Sequence, residues 1–151
     1  MNGATDPLPA SCDLSGLSGR ELDDLFRRSP VGSVPDGVSD GFMLLLPGTP
    51  AGVPIGRLLR FLAWQGKIFD ARSGTMLNRV LPFGLSAVKA RFHPGVSRLD
   101  GKPCFVLDYS GSSRIAHGVR DEIREVAPGV RLGLVYWHGI RVGRFALKFR
   151  S

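Results

Sequence analysis

Asp108, Tyr109, Arg114, His117, Arg120 and His138 are the residues whose types and spacing could do chemistry. Asp108 and Tyr109 close a strand-like segment. Arg114, His117 and Arg120 follow at intervals of three, which places them along one edge if the segment is helical. In that arrangement Asp108 orients His117, and His117 serves as acid or base. Arg114 or Arg120 then stabilises a carboxylate or oxyanion, with Tyr109 assisting. The competing account is a solvent-facing histidine beside a salt bridge and a tyrosine that simply packs. His138 sits at a turn, where it can line a barrel mouth or face water.

No other chemistry is signalled. Ser110-Gly111-Ser112-Ser113 is neither a phosphate loop nor a nucleophile elbow. Cys12 and Cys104 are the only cysteines and show no zinc-ligand spacing. With three histidines and dispersed acids, neither a metal nor a cofactor is expected. Reduced thiols and the lack of an apolar signal core point to a cytoplasmic protein with no integral membrane segment.

The elements that must position these residues are short. There are 20 glycines and 11 prolines in 151 residues, which argues for many turns and against a helical bundle. Residues 1–16 read as a flexible leader and 17–151 as one β-rich domain. Ser18 and Glu21 form a capping-box pattern before a helix at Gly19–Arg28, with Leu17 and Leu22 as a hydrophobic staple. Residues 29–41 are too punctuated for regular structure. Phe42–Leu46 reads as a buried strand. Ile55, Leu58, Leu59 and Leu62 support a helix at Pro54–Ala63.

The stretch Gly66–Phe92 organises the rest, with strands at Gly66–Asp70, Met76–Leu81 and Leu85–Phe92. His93-Pro94-Gly95 reverses the chain, and Val96–Asp100 is a short strand or a bridge. Pro103–Tyr109 alternates, with Phe105, Leu107 and Tyr109 facing one way. A helix is expected at Ser113–Ala127, with Ile115, Val119, Ile123 and Val126 as its buried stripe. Arg131–Trp137 and Arg141–Phe149 form a hairpin about His138-Gly139, with Phe145, Leu147 and Phe149 available to the core. Few crossover segments separate the strands. A mainly β or α+β fold follows: a curved antiparallel sheet, wrapped into a barrel, with accessory helices.

Trp64-Gln65-Gly66-Lys67-Ile68-Phe69-Asp70 resembles the opening strand of small bacterial lipocalin-like barrels. Asp108-Tyr109 and the final two strands are similar to a segment of an uncharacterised bacterial family. The resemblance implies a lipocalin-like barrel that binds an apolar ligand, and it supplies no catalytic residues. The helix-rich N-terminal half departs from the simple eight-strand order, and the exported family's secretory leader and disulfides are lacking.

The leading expectation is binding of a small apolar or amphipathic molecule in a barrel cavity. Trp64, Phe69, Phe92, Tyr136 and Trp137 are candidate wall or mouth residues, with Arg120 and His138 as polar contacts. A cofactor-independent isomerase or cyclase using Asp108, His117, Tyr109 and Arg114 is the alternative. Charge supplies a third reading, a basic nucleic-acid-binding or structural interaction protein. Residues 1–50 carry a net −4 and residues 51–151 a net +11. A basic body can attract nucleic acid, but no recognition element accompanies it, so nucleic acid is an unlikely partner. An acidic segment folded over a basic body explains the same asymmetry.

Overall fold

A computed structural model describes residues 13–44, 64–80, 86–111 and 116–151, with the backbone alone at 64, 80 and 86–88. Eight antiparallel strands close into a barrel in sequence order, β1 pairing back to β8. The strands are β1 (Gly37–Met43), β2 (Trp64–Asp70), β3 (Thr75–Val80), β4 (Ser86–Val96), β5 (Pro103–Asp108), β6 (Val119–Ala127), β7 (Val130–Trp137) and β8 (Ile140–Phe149). Closure removes both sheet edges. Among the described residues one α-helix, α1 (Gly19–Arg28), lies on the outer surface, preceded by a 3-10 turn at Leu14–Gly16.

Two buried clusters sit on opposite sides of the barrel wall. The lumen holds Phe69, Met76, Ala90, Phe92, Phe105, Leu107, Tyr109, Ile123, Val135, Phe145 and Leu147. Its rings pack edge-on or tilted: Phe69 stands 5.3 Å from Phe92 and 5.5 Å from Phe149. The outer cluster joins Leu22, Leu25 and Phe26 of α1 to Cys104, Val106, Val126, Val130, Leu132, Leu134, Tyr136 and Ala146. The strands under α1 are therefore buried on both faces.

Helix α1 forms where the sequence places it. Ser18 Oγ accepts from Glu21 N, and Glu21 Oε2 accepts from Ser18 N at 2.7 Å. Asp23 then fixes the helix to the wall. It receives both Arg141 (2.6 and 2.9 Å) and Arg144 (2.9 and 3.0 Å). A register shift opposite Val135/Tyr136 puts these two arginines, three apart in sequence, on the same outer face.

Three expectations are corrected. The helix expected at Ser113–Ala127 is not found over its described residues, 116–127: residues 116–118 form a turn and Val119–Ala127 is β6. Of the apolar residues at helical spacing, Ile123 and Val126 lie on two faces of this strand. Ile123 packs in the lumen and Val126 under α1. Charged residues stand buried on both faces (Asp121 inside, Glu122 and Arg124 outside), which hides the two-residue period.

His93-Pro94-Gly95 does not reverse the chain but continues β4, with Pro94 opposite Phe105. Phe92 N bonds to Gly74 O on the β3 side, so the nitrogen of Pro94, two residues on, faces the same side. There β3 has already ended at Thr75, and no ladder bond is lost. Residues 37–41, expected to be irregular, form most of β1. The helix expected at Pro54–Ala63 and residues 45–46 of the strand expected at Phe42–Leu46 lie outside the described residues.

The β7–β8 hairpin turns on His138 (φ 47°) and Gly139 (φ 82°), both in the left-handed region that a two-residue turn requires. Opposite Phe145 in the β7–β8 register, Gly133 makes room for its ring. A methyl group at Gly133 overlaps the Phe145 ring. Gly133→Ala is expected to cost about 1–3 kcal/mol by overpacking. Urea denaturation checks this, and adding Phe145→Leu is expected to recover part of the loss.

Candidate functional site

Antiparallel order gives the barrel two ends. Strands β1, β3, β5 and β7 finish at the end carrying His138, and β2, β4, β6 and β8 begin there. The opposite end carries a largely buried cation. Arg131, buried on the lumen side, donates to the carbonyls of Val31 and Ser33 and pairs with Glu125 at 3.3 Å. Its guanidinium lies 5.8 Å from the Phe105 ring and 5.7 Å from Phe149.

Between the aromatic packing and the His138 end lies a polar layer. Ser39, Lys67 and Asn78 stand side by side in register on β1, β2 and β3. Asp121 reaches the layer from β6, and Tyr109 from just past the end of β5. Lys67 Nζ donates to Asn78 Oδ1 at 2.8 Å and to Tyr109 Oη at 2.6 Å, and lies 3.1 Å from Asp121 Oδ2. Tyr109 Oη donates to Asp121 Oδ2 at 2.8 Å and accepts from Asn78 Nδ2 at 3.4 Å. The ammonium also sits 5.2 Å from the Phe145 ring.

The side chains of Lys67 and Asp121 are 4% and 5% exposed, so this is a buried ion pair. Burial pulls the Lys67 ammonium below its ordinary value against the upward pull of Asp121. Burial, and then the Asp121 charge, push the Tyr109 phenol well up, so it keeps its proton. The layer thus offers an ammonium, a phenolic hydroxyl and a carboxylate within hydrogen-bond reach of one another.

The residues singled out from sequence are distributed differently. Tyr109 joins the lumen layer. Asp108 instead accepts from Ser110 N at 2.8 Å. His117 is exposed in the turn before β6, and Arg114 lies outside the described residues. Arg120 lies on the outer face, where it pairs with the buried Glu122 and donates to Val96 O. Phe69 and Phe92 line the lumen. Tyr136 is on the outer face under Arg98, 6.0 Å from its ring. Trp137 is half-buried against the exposed His138, ring to ring at 4.9 Å. Trp64 begins β2.

Lys67 and Asp121 were missed, yet alternation carried a signal. Lys67 shares a strand face with Phe69, and Asp121 with Ile123, so each charge is directed inward. Asn78 interrupts an apolar segment, a pattern that fits either a bulge or a side chain facing a ligand.

A separate groove of about 540 Å³ lies outside the barrel. Leu14, Phe42, Leu44, Val130 and Ala146 supply its apolar lining and Lys148 its cation. Eight basic side chains of residues 51–151 are ion-paired, including Arg79 and Arg150 on Asp40. Among the described residues no cluster of three metal-ligating side chains occurs, and no helix is long and apolar enough to cross a membrane.

Cys104 lies in the outer cluster with no exposed surface. Burial, and then the charge of Glu122, push its thiol up to about 12. Alkylation by iodoacetamide is expected to run on the order of a thousandfold slower in the folded chain than in urea, because the thiolate is the reactive form. Peptide mapping of the modified cysteine checks this.

These features define a closed eight-stranded antiparallel barrel with a helix outside and an ionised polar layer within. The same fold is found in a crystal structure of a protein from Thermomonospora curvata, at 19% identity, with a TM-score of 0.65 over 89% of each chain. That similarity shows the architecture alone, a closed antiparallel barrel. No protein-family model matches the chain, and no curated protein does.

Proposed function

We propose that the barrel binds a small, largely apolar molecule bearing one neutral oxygen function, which meets the layer of Lys67, Asn78, Tyr109 and Asp121. The observation that carries this reading is the buried Lys67–Asp121 pair on the lumen face. Removing two ions from water costs several kcal/mol each, and apolar residues of similar volume hold such a position at least as well. A pair kept there under phenylalanine rings supports selective recognition. The pair is internally neutral, so a neutral carbonyl or hydroxyl suits it better than a second charge. Aromatic walls with few convergent polar groups are the ordinary composition of a small-molecule site. We place the protein in the cytoplasm, where the free Cys104 stays reduced.

The test is native mass spectrometry of freshly purified protein, followed by denaturation and analysis of what is released. A reproducible apolar carbonyl or alcohol, lost in Lys67→Met but retained in Ala146→Trp, supports the lumen layer. Loss in Ala146→Trp alone moves the ligand to the outer groove and sinks the lumen assignment. A clean mass sends the same variants to titration with 1-hexanol and hexanal, and absence of lumen resonance shifts with both overturns the reading.

A further inference from the structure

We infer that Lys67 holds a carbonyl ligand covalently, as an imine, with Tyr109 as the proton donor and Asp121 as the proton acceptor; this rests on the ligand-binding reading above. Four lysines occur in the chain, and Lys89, Lys102 and Lys148 are exposed while Lys67 is buried. Burial among aromatic rings favours the neutral, nucleophilic amine, and Asp121 beside it is the group that can take the ammonium proton.

The neighbours match the proton movements that imine formation requires. Asp121 Oδ2, 3.1 Å from Nζ, takes one proton from the ammonium and frees the lone pair. Nζ attacks the aldehyde carbon, forming the C–N bond as the carbonyl π electrons move to oxygen. That oxygen takes the Tyr109 proton, and the tyrosine recovers one from Nζ, 2.6 Å away. The resulting carbinolamine loses its hydroxyl as water, with the proton held by Asp121, and the nitrogen lone pair closes the C=N bond. Aldehyde plus amine becomes imine plus water, with no redox change and no further reactant. Asn78 Oδ1, 2.8 Å from Nζ, positions the nitrogen. When the imine nitrogen is protonated, Asp121 is its counter-ion inside the lumen.

The test is reductive trapping on the full chain with hexanal and sodium cyanoborohydride at neutral pH, followed by peptide mapping. Lys67 is expected to be alkylated at least tenfold faster than Lys89, Lys102 or Lys148. Lys67→Arg is expected to lose that adduct and keep the slow surface labelling. Tyr109→Phe, checked for folding by circular dichroism, is expected to slow trapping at Lys67 about 100-fold, the ordinary scale of a lost proton donor. Titration with 1-hexanol, which cannot form an imine, separates the two ideas. Hexanol binding without preferential Lys67 labelling overturns the imine and leaves the binding reading intact. Absence of both hexanol binding and Lys67 labelling overturns both.

Discussion

Asp121→Ala is expected to lower the unfolding free energy by about 3–5 kcal/mol, the scale of removing one partner from a buried ion pair. The loss arises from what remains. Lys67 keeps its place between the Tyr109 and Phe145 rings, with Nζ 5.3 and 5.2 Å from their centroids. It keeps neutral acceptors in Asn78 and Tyr109 but loses the charge of Asp121. Tyr109 Oη also loses the acceptor of its own proton. The double variant Lys67→Met/Asp121→Leu removes both charges and fills similar volume, so it is expected to recover most of the loss or to exceed the parent. Urea denaturation of the parent, both single variants and the double variant closes the cycle. If the double variant is as unstable as Asp121→Ala, packing volume rather than charge sets the requirement, and the argument that the pair is kept for recognition fails.

The same layer shows how far the sequence could be read. Alternation in β5, β7 and β8 was plain, and so was the hairpin at His138-Gly139. Each of those strands has runs in which large apolar side chains recur at every second position. The capping box of α1 is local chemistry, complete within Ser18–Glu21, and needed no tertiary information. The closed antiparallel barrel followed from the small number of helix-length crossovers.

What sequence did not show was where a tertiary partner decides. Segment β6 looked helical because its outer face is covered by α1 while its inner face carries the buried Asp121. A strand with charges buried on both sides has no polar face to reveal its period. Pro94 looked like a turn because the end of β3 at Thr75, which makes a proline harmless there, cannot be seen from β4. The proposed Asp108–His117 arrangement depended on that misplaced helix. Once β6 is a strand, the helical spacing that aligned Arg114, His117 and Arg120 no longer applies. Tyr109 meets Asp121, twelve residues on, because β5 and β6 pair Leu107 with Asp121 and bring the two side chains to one lumen face.

On the opposite side of β6, Arg124→Met is expected to cost about 3–5 kcal/mol and to release α1 before the barrel itself unfolds. All five guanidinium hydrogens of Arg124 have acceptors, although its side chain is only 1% exposed. Nε donates to Pro103 O at 3.0 Å. One terminal nitrogen donates to Phe26 O and Asp100 Oδ2, the other to Asp100 Oδ1 and Lys102 O. The guanidinium also lies 4.4 Å from the Phe26 ring. One side chain thus ties the last turn of α1 to the β4–β5 turn. Methionine retains the apolar stem and abandons all five acceptor atoms. Hydrogen exchange is expected to show the α1 amides opening well before those of β7, which are held by ladders on both sides. Arg124→Lys is expected to rescue little, because three donors on a point charge cannot reproduce a planar fork. A lysine variant with parental stability would mean that the charge opposite Asp100 is sufficient. The helix would then be held by its apolar face and by Asp23, and the guanidinium geometry would be dispensable.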